Sequence, residues 1–257
     1  MGLLVALHAE SPVLASQKLK AFVANRDAAK AKAFYGDTLG LRLISQDPGA
    51  LVFDANGTKL RVQIVSEVAL GKYTVLGWEV TDIAATVKAL KKSGVRWKCF
   101  QASNETISEF GPRTTELAWR GLKIRPATFS LSTRRPEGPM PKLRSRKIMA
   151  FVATRDPTRA KAFYRDTLGL RFVSEDPFAV VFDAHGIMLR VAIVQKIVLA
   201  PYTVLGWEVP DVAAAAKDLA KAGVHFERFG MPQNDLGIWT CHPARAWHGS
   251  RIRMGIC

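Results

Sequence analysis

The chain has 257 residues, of which 48% are hydrophobic and 23% charged, which suits one large domain or two ordinary ones with packed cores. Its three cysteines have unrelated spacings, which excludes a disulfide framework and a zinc motif and favours a cytoplasmic compartment. The net charge of +15 suggests a nucleic-acid partner, but +11 of it lies in two short segments, 113–147 and 245–253, so we expect no specific nucleic-acid partner and no membrane partner.

An internal repeat dominates the sequence. A shift of 129 residues aligns residues 20–100 with residues 149–229 without a gap, and 49 of the 81 pairs are identical. A repeat of this length predicts two domains rather than a solenoid. The predicted organisation is an N-terminal extension (1–17), a first domain (18–129), a proline-rich basic linker (130–146) and a second domain (147–257) with an atypical or truncated C-terminal end.

The second repeat shows the predicted elements in chain order. One helix begins after Asp156 and ends at Gly169, and another runs from Asp211 to Ala222. The dipeptide His185-Gly186 predicts a hairpin turn. The predicted strands lie at 150–154, 171–174, 179–183, 187–194, 203–209 and 224–229. Each repeat is therefore predicted to contain the pattern strand-helix-strand-strand-strand and then to start the same pattern a second time.

Two motifs in each repeat carry a resemblance to a known family. The pattern R-D-x-x-x-A-K-A-F-Y-x-D-T-L-G-L, followed later by L-G-W-E-V-x-D-[IV]-A-A, resembles the vicinal-oxygen-chelate superfamily, which includes glyoxalase I, extradiol dioxygenases, and fosfomycin and bleomycin resistance proteins. The resemblance implies an α+β fold in which paired βαβββ modules form half-open curved sheets around a cleft, here duplicated in one chain. It also implies a monomer in which the two repeats form an intramolecular pseudo-dimer.

The resemblance implies where a metal ion would be held. The family's ligands are mostly His and Glu at inward-facing strand positions, which suits a divalent ion. Three of the four ligand positions carry other residues in both repeats. The first position has Lys20 in the first repeat and Met149 in the second, the next has Arg61 and Arg190, and the third has Val75 and Val204. Lysine and arginine bring positive charge and valine offers no lone pair. We therefore expect no metal ion and no other cofactor.

Strand alternation predicts which side chains line the cleft. If Val204 points inward, Glu208 does so as well, while Trp207 faces the helix. We therefore predict that Arg190 pairs with Glu208 across the missing metal site, and that Arg61 does so with the equivalent glutamate; the alternative is that these side chains reach solvent. The predicted ligand-cleft residues are Arg61, Glu79, Phe22, Arg190, Glu208 and Phe151.

The basic tails of the two repeats predict a change of reading frame. The resemblance implies a closing hairpin similar to V-A-W-F-K-D-P-D-G-N-x-L, and neither repeat has it. Permitted codons for residues 249–257, read one nucleotide earlier, encode W-F-K-D-P-D-G-N-L, and codons for residues 121–130 encode W-L-K-D-P-A-G-N-I-L. We interpret both tails as shifted-frame sequence and expect short or poorly paired closing strands. The alternative is that both tails evolved as basic surface strands.

These features favour a superfamily protein that binds or sequesters an unidentified small molecule without a catalytic metal, or whose function is degraded. The alternative is a glyoxalase-like lyase or dioxygenase that uses unrecognised ligands, and the sequence assigns no catalytic residue. Candidate ligands for that alternative are His8, His185, His225, His242 and His248.

Overall fold

A computed structural model describes residues 14–69, 71, 73–92, 95, 121–124, 143–226 and 233–238, with the backbone alone for 121–124. Within these ranges the predicted α+β class is confirmed, with the strand-helix-strand-strand-strand unit present once in full in each repeat. No helix in the described ranges is long and apolar enough to cross a membrane.

The first repeat forms one complete βαβββ unit and the beginning of a second. Its elements are β1 (Lys18–Asn25), α1 (Ala28–Lys32) with a π-helical extension (Ala33–Thr38), β2 (Arg42–Asp47), β3 (Ala50–Ala55), β4 (Thr58–Ile64), β5 (Leu76–Glu79), α2 (Ile83–Lys92) and β6 (Gly121–Ile124).

The second repeat matches the first, element by element, through its second helix. Its elements are β7 (Ile148–Thr154), α3 (Pro157–Lys161) with a π-helical extension (Ala162–Thr167), β8 (Arg171–Asp176), β9 (Ala179–Ala184), β10 (Ile187–Ile193), β11 (Leu205–Glu208) and α4 (Val212–Lys221). A short 3₁₀ turn (Leu143–Ser145) precedes β7.

Local sequence signals explain most of these boundaries. The Asp156 carboxylate caps α3 by accepting a hydrogen bond from the backbone N–H of Arg159 at 2.9 Å. Gly169 ends the helical segment at a φ of 76°, which a residue with a Cβ rarely adopts. His185 and Gly186 have φ values of 54° and 86°, so the predicted hairpin turn between β9 and β10 is confirmed.

The strand predicted at 224–229 is wrong for residues 224–226, which are not in a strand, and residues 227–229 lie outside the described part of the chain. The backbone N–H of Val224 instead donates to the Leu219 carbonyl at 2.9 Å. This bond closes the end of α4 after Gly223 turns the chain at a φ of 82°.

The two repeats exchange strands. One sheet has the order β11-β1-β4-β3-β2, and the other has the order β6-β5-β7-β10-β9-β8. Strand β11 of the second repeat therefore lies antiparallel to β1 of the first, and β5 of the first repeat lies antiparallel to β7 of the second. Each sheet consequently combines the first unit of one repeat with the second unit of the other.

The segments before β1 and β7 also cross between repeats. Leu14 donates its backbone N–H to the Leu168 carbonyl at 3.3 Å, and Leu143 donates in the same way to Leu39 at 3.1 Å. Both leucine side chains are buried. Leu14 lies in the predicted extension and Leu143 in the predicted linker, so each of these segments contributes one anchor to the fold.

Two hydrophobic cores lie behind the sheets, and each is built mostly from one repeat. Trp78 belongs to the first core and Trp207 to the second, together with helix residues such as Leu90 and Leu219. The prediction that Trp207 faces away from the cleft is therefore confirmed. Burial of a large aromatic side chain stabilises the fold by about 2–3 kcal/mol.

Strand β6 is the described part of the first basic tail. It is four residues long and pairs with β5 at every position, from Leu76 with Ile124 to Glu79 with Gly121. The expected poor pairing is not seen for these four residues, and the expectation of a short closing strand stays a prediction because the residues on both sides lie outside the described part of the chain. The second tail, residues 249–257, lies outside the described residues.

Candidate functional site

Each sheet carries polar side chains on the face that alternates with the core residues. In β1, the core residues Leu19, Ala21 and Val23 alternate with Lys20 and Phe22. We call this face of the five-stranded sheet the first site, defined by Lys20, Phe22, Asp47, Lys59, Arg61 and Glu208. The equivalent face of the other sheet is the second site, defined by Met149, Phe151, Asp176, Met188, Arg190 and Glu79.

A cluster of three charges joins the two repeats at the first site. The Nζ atoms of Lys20 and Lys59 lie 3.0 Å and 2.6 Å from Oε1 of Glu208. Lys20 pairs across the strands with Gly206, which has no side chain between Lys20 and Glu208. The exchange of β11 brings Glu208 to these lysines.

The environment of Glu208 alters its acidity. Partial burial acts to raise the pKa of this carboxyl, but hydrogen bonds from Lys59 and Lys20 outweigh that effect. The pKa of Glu208 is therefore held below its ordinary value of 4.5. Glu208 is a carboxylate at neutral pH and carries one negative charge between two ammonium groups.

An arginine–aspartate pair lies in the same position of each site. Arg61 approaches Asp47 at 3.8 Å, and Arg190 approaches Asp176 at 3.0 Å. The arginine side chains are only 11% and 12% exposed, so most of each guanidinium is removed from water. A charge this deeply buried is tolerated when it is paired, and these aspartates supply a pairing charge.

The predicted pairing of Arg190 with Glu208 is wrong, and no ion pair joins Arg61 to Glu79 in the described residues. Arg190 bonds Asp176, while Glu208 is bound by lysines of the first repeat. The prediction assumed that each repeat completes its own sheet, whereas strand exchange places β10 and β11 in different sheets.

The remaining predicted positions are divided between the two faces. Phe22 is in register with Arg61, and Phe151 with Arg190, so each phenylalanine lies beside the arginine of its site. Val204 is 44% exposed, whereas Val75 packs against the first core.

Four further residues of the sites were missed by sequence reasoning: Lys59, Asp47, Met188 and Asp176. Lys59 and Met188 lie two residues before the arginines on β4 and β10, so strand alternation could have placed them on the same faces. The aspartates were not foreseeable in this way, because β2 and β8 each contain a register shift.

The residues present do not fit a divalent metal ion of the family's type. An ammonium at Lys20 and a guanidinium at Arg61 repel a cation, and the thioether of Met149 is a poor ligand for a hard ion. Within the described ranges, no three His, Cys, Asp or Glu side chains converge. That the protein works without a metal stays a prediction.

We expect that Glu208→Gln lowers the free energy of unfolding by about 1–2 kcal/mol near neutral pH, because two ammonium groups lose their charged acceptor. The pKa of Glu208 is depressed in the folded state, so its contribution is complete above 4.5 and disappears as the pH falls through the folded value. Urea denaturation at neutral and acidic pH measures both effects.

Glu79→Gln is the matched control, because Glu79 is the equivalent residue of the second site, is exposed, and has no ion pair among the described residues. It should change stability by less than about 0.5 kcal/mol. Equal effects of the two substitutions, or an effect of Glu208→Gln that persists in acid, would contradict the role assigned to the two lysines.

Comparisons with solved structures found chains that are similar to this one. The chain is 16% identical to a putative dioxygenase from Bacillus subtilis subsp. subtilis str. 168, with 82% of this chain and 76% of that chain covered and a TM-score of 0.49. It is 14% identical to a Mn(II)-bound glyoxalase from Novosphingobium aromaticivorans, with coverages of 83% and 73% and a TM-score of 0.33. A comparison with curated proteins gave no match.

The family model described as the Glyoxalase/Bleomycin resistance protein/Dioxygenase superfamily matches residues 147–229. The matched segment covers β7 through α4, which contains the whole second site apart from Glu79. The first repeat is identical to this segment at 49 of 81 aligned positions and has the same order of elements. The second repeat therefore belongs to the Glyoxalase/Bleomycin resistance protein/Dioxygenase superfamily, and the first repeat is its close duplicate.

Proposed function

We propose that this chain binds a small organic molecule at the two sites without a resident metal ion. The observation that carries the proposal is the replacement of the family's ligands by Lys20 and Arg61 in one site and by Met149 and Arg190 in the other. A binding function needs no ligand set for a metal, whereas the lyase and dioxygenase chemistry of the family does.

Both sites place fixed polar groups beside apolar ones. Arg61 lies beside Phe22 and Val52, its register partners on β1 and β3, and Arg190 lies beside Phe151 and Val181. Small-molecule sites in proteins combine such an apolar lining with a few convergent polar groups. The same combination is found here twice, on the face that the family uses for its ligands.

The strand exchange supports a monomer as the working form. Strand β1 receives β11, and β7 receives β5, from within the same chain. A second copy is therefore not needed to complete either sheet. We also propose that the protein has no nucleic-acid partner, because +11 of the net charge of +15 lies in the segments 113–147 and 245–253. We propose a cytoplasmic location because the three cysteines do not form a disulfide framework.

We expect protein purified without added metal to contain far less than one divalent ion per site. Zinc, nickel, manganese and iron(II) should leave the melting temperature unchanged, because a ligand stabilises a protein only by binding its native state. Elemental analysis and a thermal melt with each ion measure these results.

A stoichiometric ion held at either site would contradict the proposal and favour the alternative, a lyase or dioxygenase with unrecognised ligands. A variant with Lys20→His and Arg61→Glu is the positive control for the metal measurements, since it restores the residue types that the family uses at two ligand positions. That variant should bind more divalent ion than the natural chain.

A further inference from the structure

The two sites differ in charge although the repeats are closely similar. Lys20 and Lys59 of the first site are replaced by Met149 and Met188 at the equivalent positions of the second. The other charged members are shared by both sites, namely Arg61 and Arg190, Asp47 and Asp176, and Glu208 and Glu79. The first site therefore holds three cations and two carboxylates, and the second site one cation and two carboxylates.

The two ammonium groups of the first site have unused hydrogen-bonding capacity. Lys20 and Lys59 both contact the same oxygen of Glu208, Oε1. Each ammonium has three N–H donors, and no other protein acceptor contacts either one among the described residues. A further negatively charged oxygen placed between them would accept hydrogen bonds that Glu208 alone cannot accept.

A ligand can reach these ammonium groups. The side chains of Lys20, Lys59 and Glu208 are 20%, 46% and 29% exposed. Gly206 places no side chain opposite Lys20, and the buried ring of Phe22 lies 3.0 Å from where a Cβ of Gly206 would be. Val204, two residues before Gly206 in the chain, is 44% exposed. The solvent-accessible ammonium groups therefore lie near one exposed apolar side chain.

We infer that the first site binds a small organic carboxylate and that the second site does not share this preference. The carboxylate lies between the ammonium groups of Lys20 and Lys59, and the apolar part of the ligand lies against the exposed side chain of Val204. One added negative charge balances the three cations of the site. The inference rests on the proposed binding function and assigns the class of ligand to one of its two sites.

Benzoate, benzamide and benzamidine test the inference, because they share a ring and differ in charge. Titration calorimetry on the full chain should show benzoate binding about tenfold or more tightly than benzamide, as expected for charge-assisted hydrogen bonds, and benzamidine binding most weakly. The double variant Lys20→Met with Lys59→Met, which gives the first site the residues of the second, should bind benzoate and benzamide equally.

The matched control is Lys30→Met with Lys221→Met, which removes the same charge from two exposed helix positions paired with Asp27 and Asp218. It should keep the preference for benzoate. Met149→Lys with Met188→Lys provides the reverse test and should raise the number of benzoate sites from one to two per chain.

Equal affinities for benzoate and benzamide in the natural chain, an absence of binding of all three compounds, or an unchanged preference in the Lys20 and Lys59 variant would overturn the inference. Metal analysis of the same preparations separates this outcome from failure of the proposed function. A stoichiometric metal ion would overturn the metal-free proposal whatever benzoate does.

Discussion

Cutting the chain between its repeats should leave the two halves bound to each other as a one-to-one complex. Cleavage at a protease site inserted between residues 130 and 142 breaks the covalent link between the repeats. It leaves the hydrogen-bonded pairs β1 with β11 and β5 with β7, and each of these pairs joins one half to the other. The cleaved halves should therefore elute together in gel filtration. Their melting temperature should become dependent on protein concentration, which is not expected of an uncut monomer.

Each half alone should lose most of the roughly 5–15 kcal/mol that a folded domain of this size has. Without its partner, β1 loses β11, and the buried side chain of Leu14 loses its contacts in the core of the second repeat. Separately expressed halves should show reduced protection of backbone amides against hydrogen exchange, and mixing them should restore it.

Gly206→Val gives a graded test of the same exchange. A Cβ at Gly206 would lie 3.0 Å from the ring of Phe22, so valine should weaken the association of the cleaved halves by about 1–3 kcal/mol. Gly36→Ala is the control, since its Cβ would lie 3.8 Å from Phe53, an ordinary contact within one repeat. Halves that separate on cleavage and remain stably folded would show that the repeats complete their own sheets.

Restoring the shifted frame in the second tail should raise the free energy of unfolding by about 3 kcal/mol or more. The variant replaces residues 249–257 with the sequence W-F-K-D-P-D-G-N-L. In the described part of the chain β11 has one strand neighbour, β1, whereas its counterpart β5 lies between β7 and β6. A restored strand would cover the second edge of β11 and bury the apolar side chains that face the core.

The first tail supplies the matched comparison. Residues 121–124 already pair with β5 at four positions, so restoring W-L-K-D-P-A-G-N-I-L there should give a smaller gain. Denaturant melts of both variants measure the difference. Equal midpoints for the second-tail variant and the natural chain, or a gene sequence whose codons do not encode these motifs in the neighbouring frame, would show that the tails are native basic strands.

The sequence alone determined the local structure of this protein. The pattern of apolar residues in 150–168, the cap at Asp156 and the turn at His185-Gly186 each act through neighbours along the chain, so each could be predicted without tertiary information. The alternation that buries Trp207 in the core and leaves Glu208 on the opposite face is a local property of a strand. The family resemblance followed from the same local motifs.

Only the tertiary structure decided which strands pair. Strands β5 and β11 have the identical sequence L-G-W-E, and β1 and β7 share A-F-V-A, so the local pairing energy is the same within a repeat and between repeats. The buried contacts of Leu14 and Leu143 with the opposite repeat favour the exchanged arrangement. That choice brings Glu208, rather than Glu79 of the lysines' own repeat, to Lys20 and Lys59. The charge difference between the two sites comes instead from the sequence, which has Met149 and Met188 at the positions of these lysines.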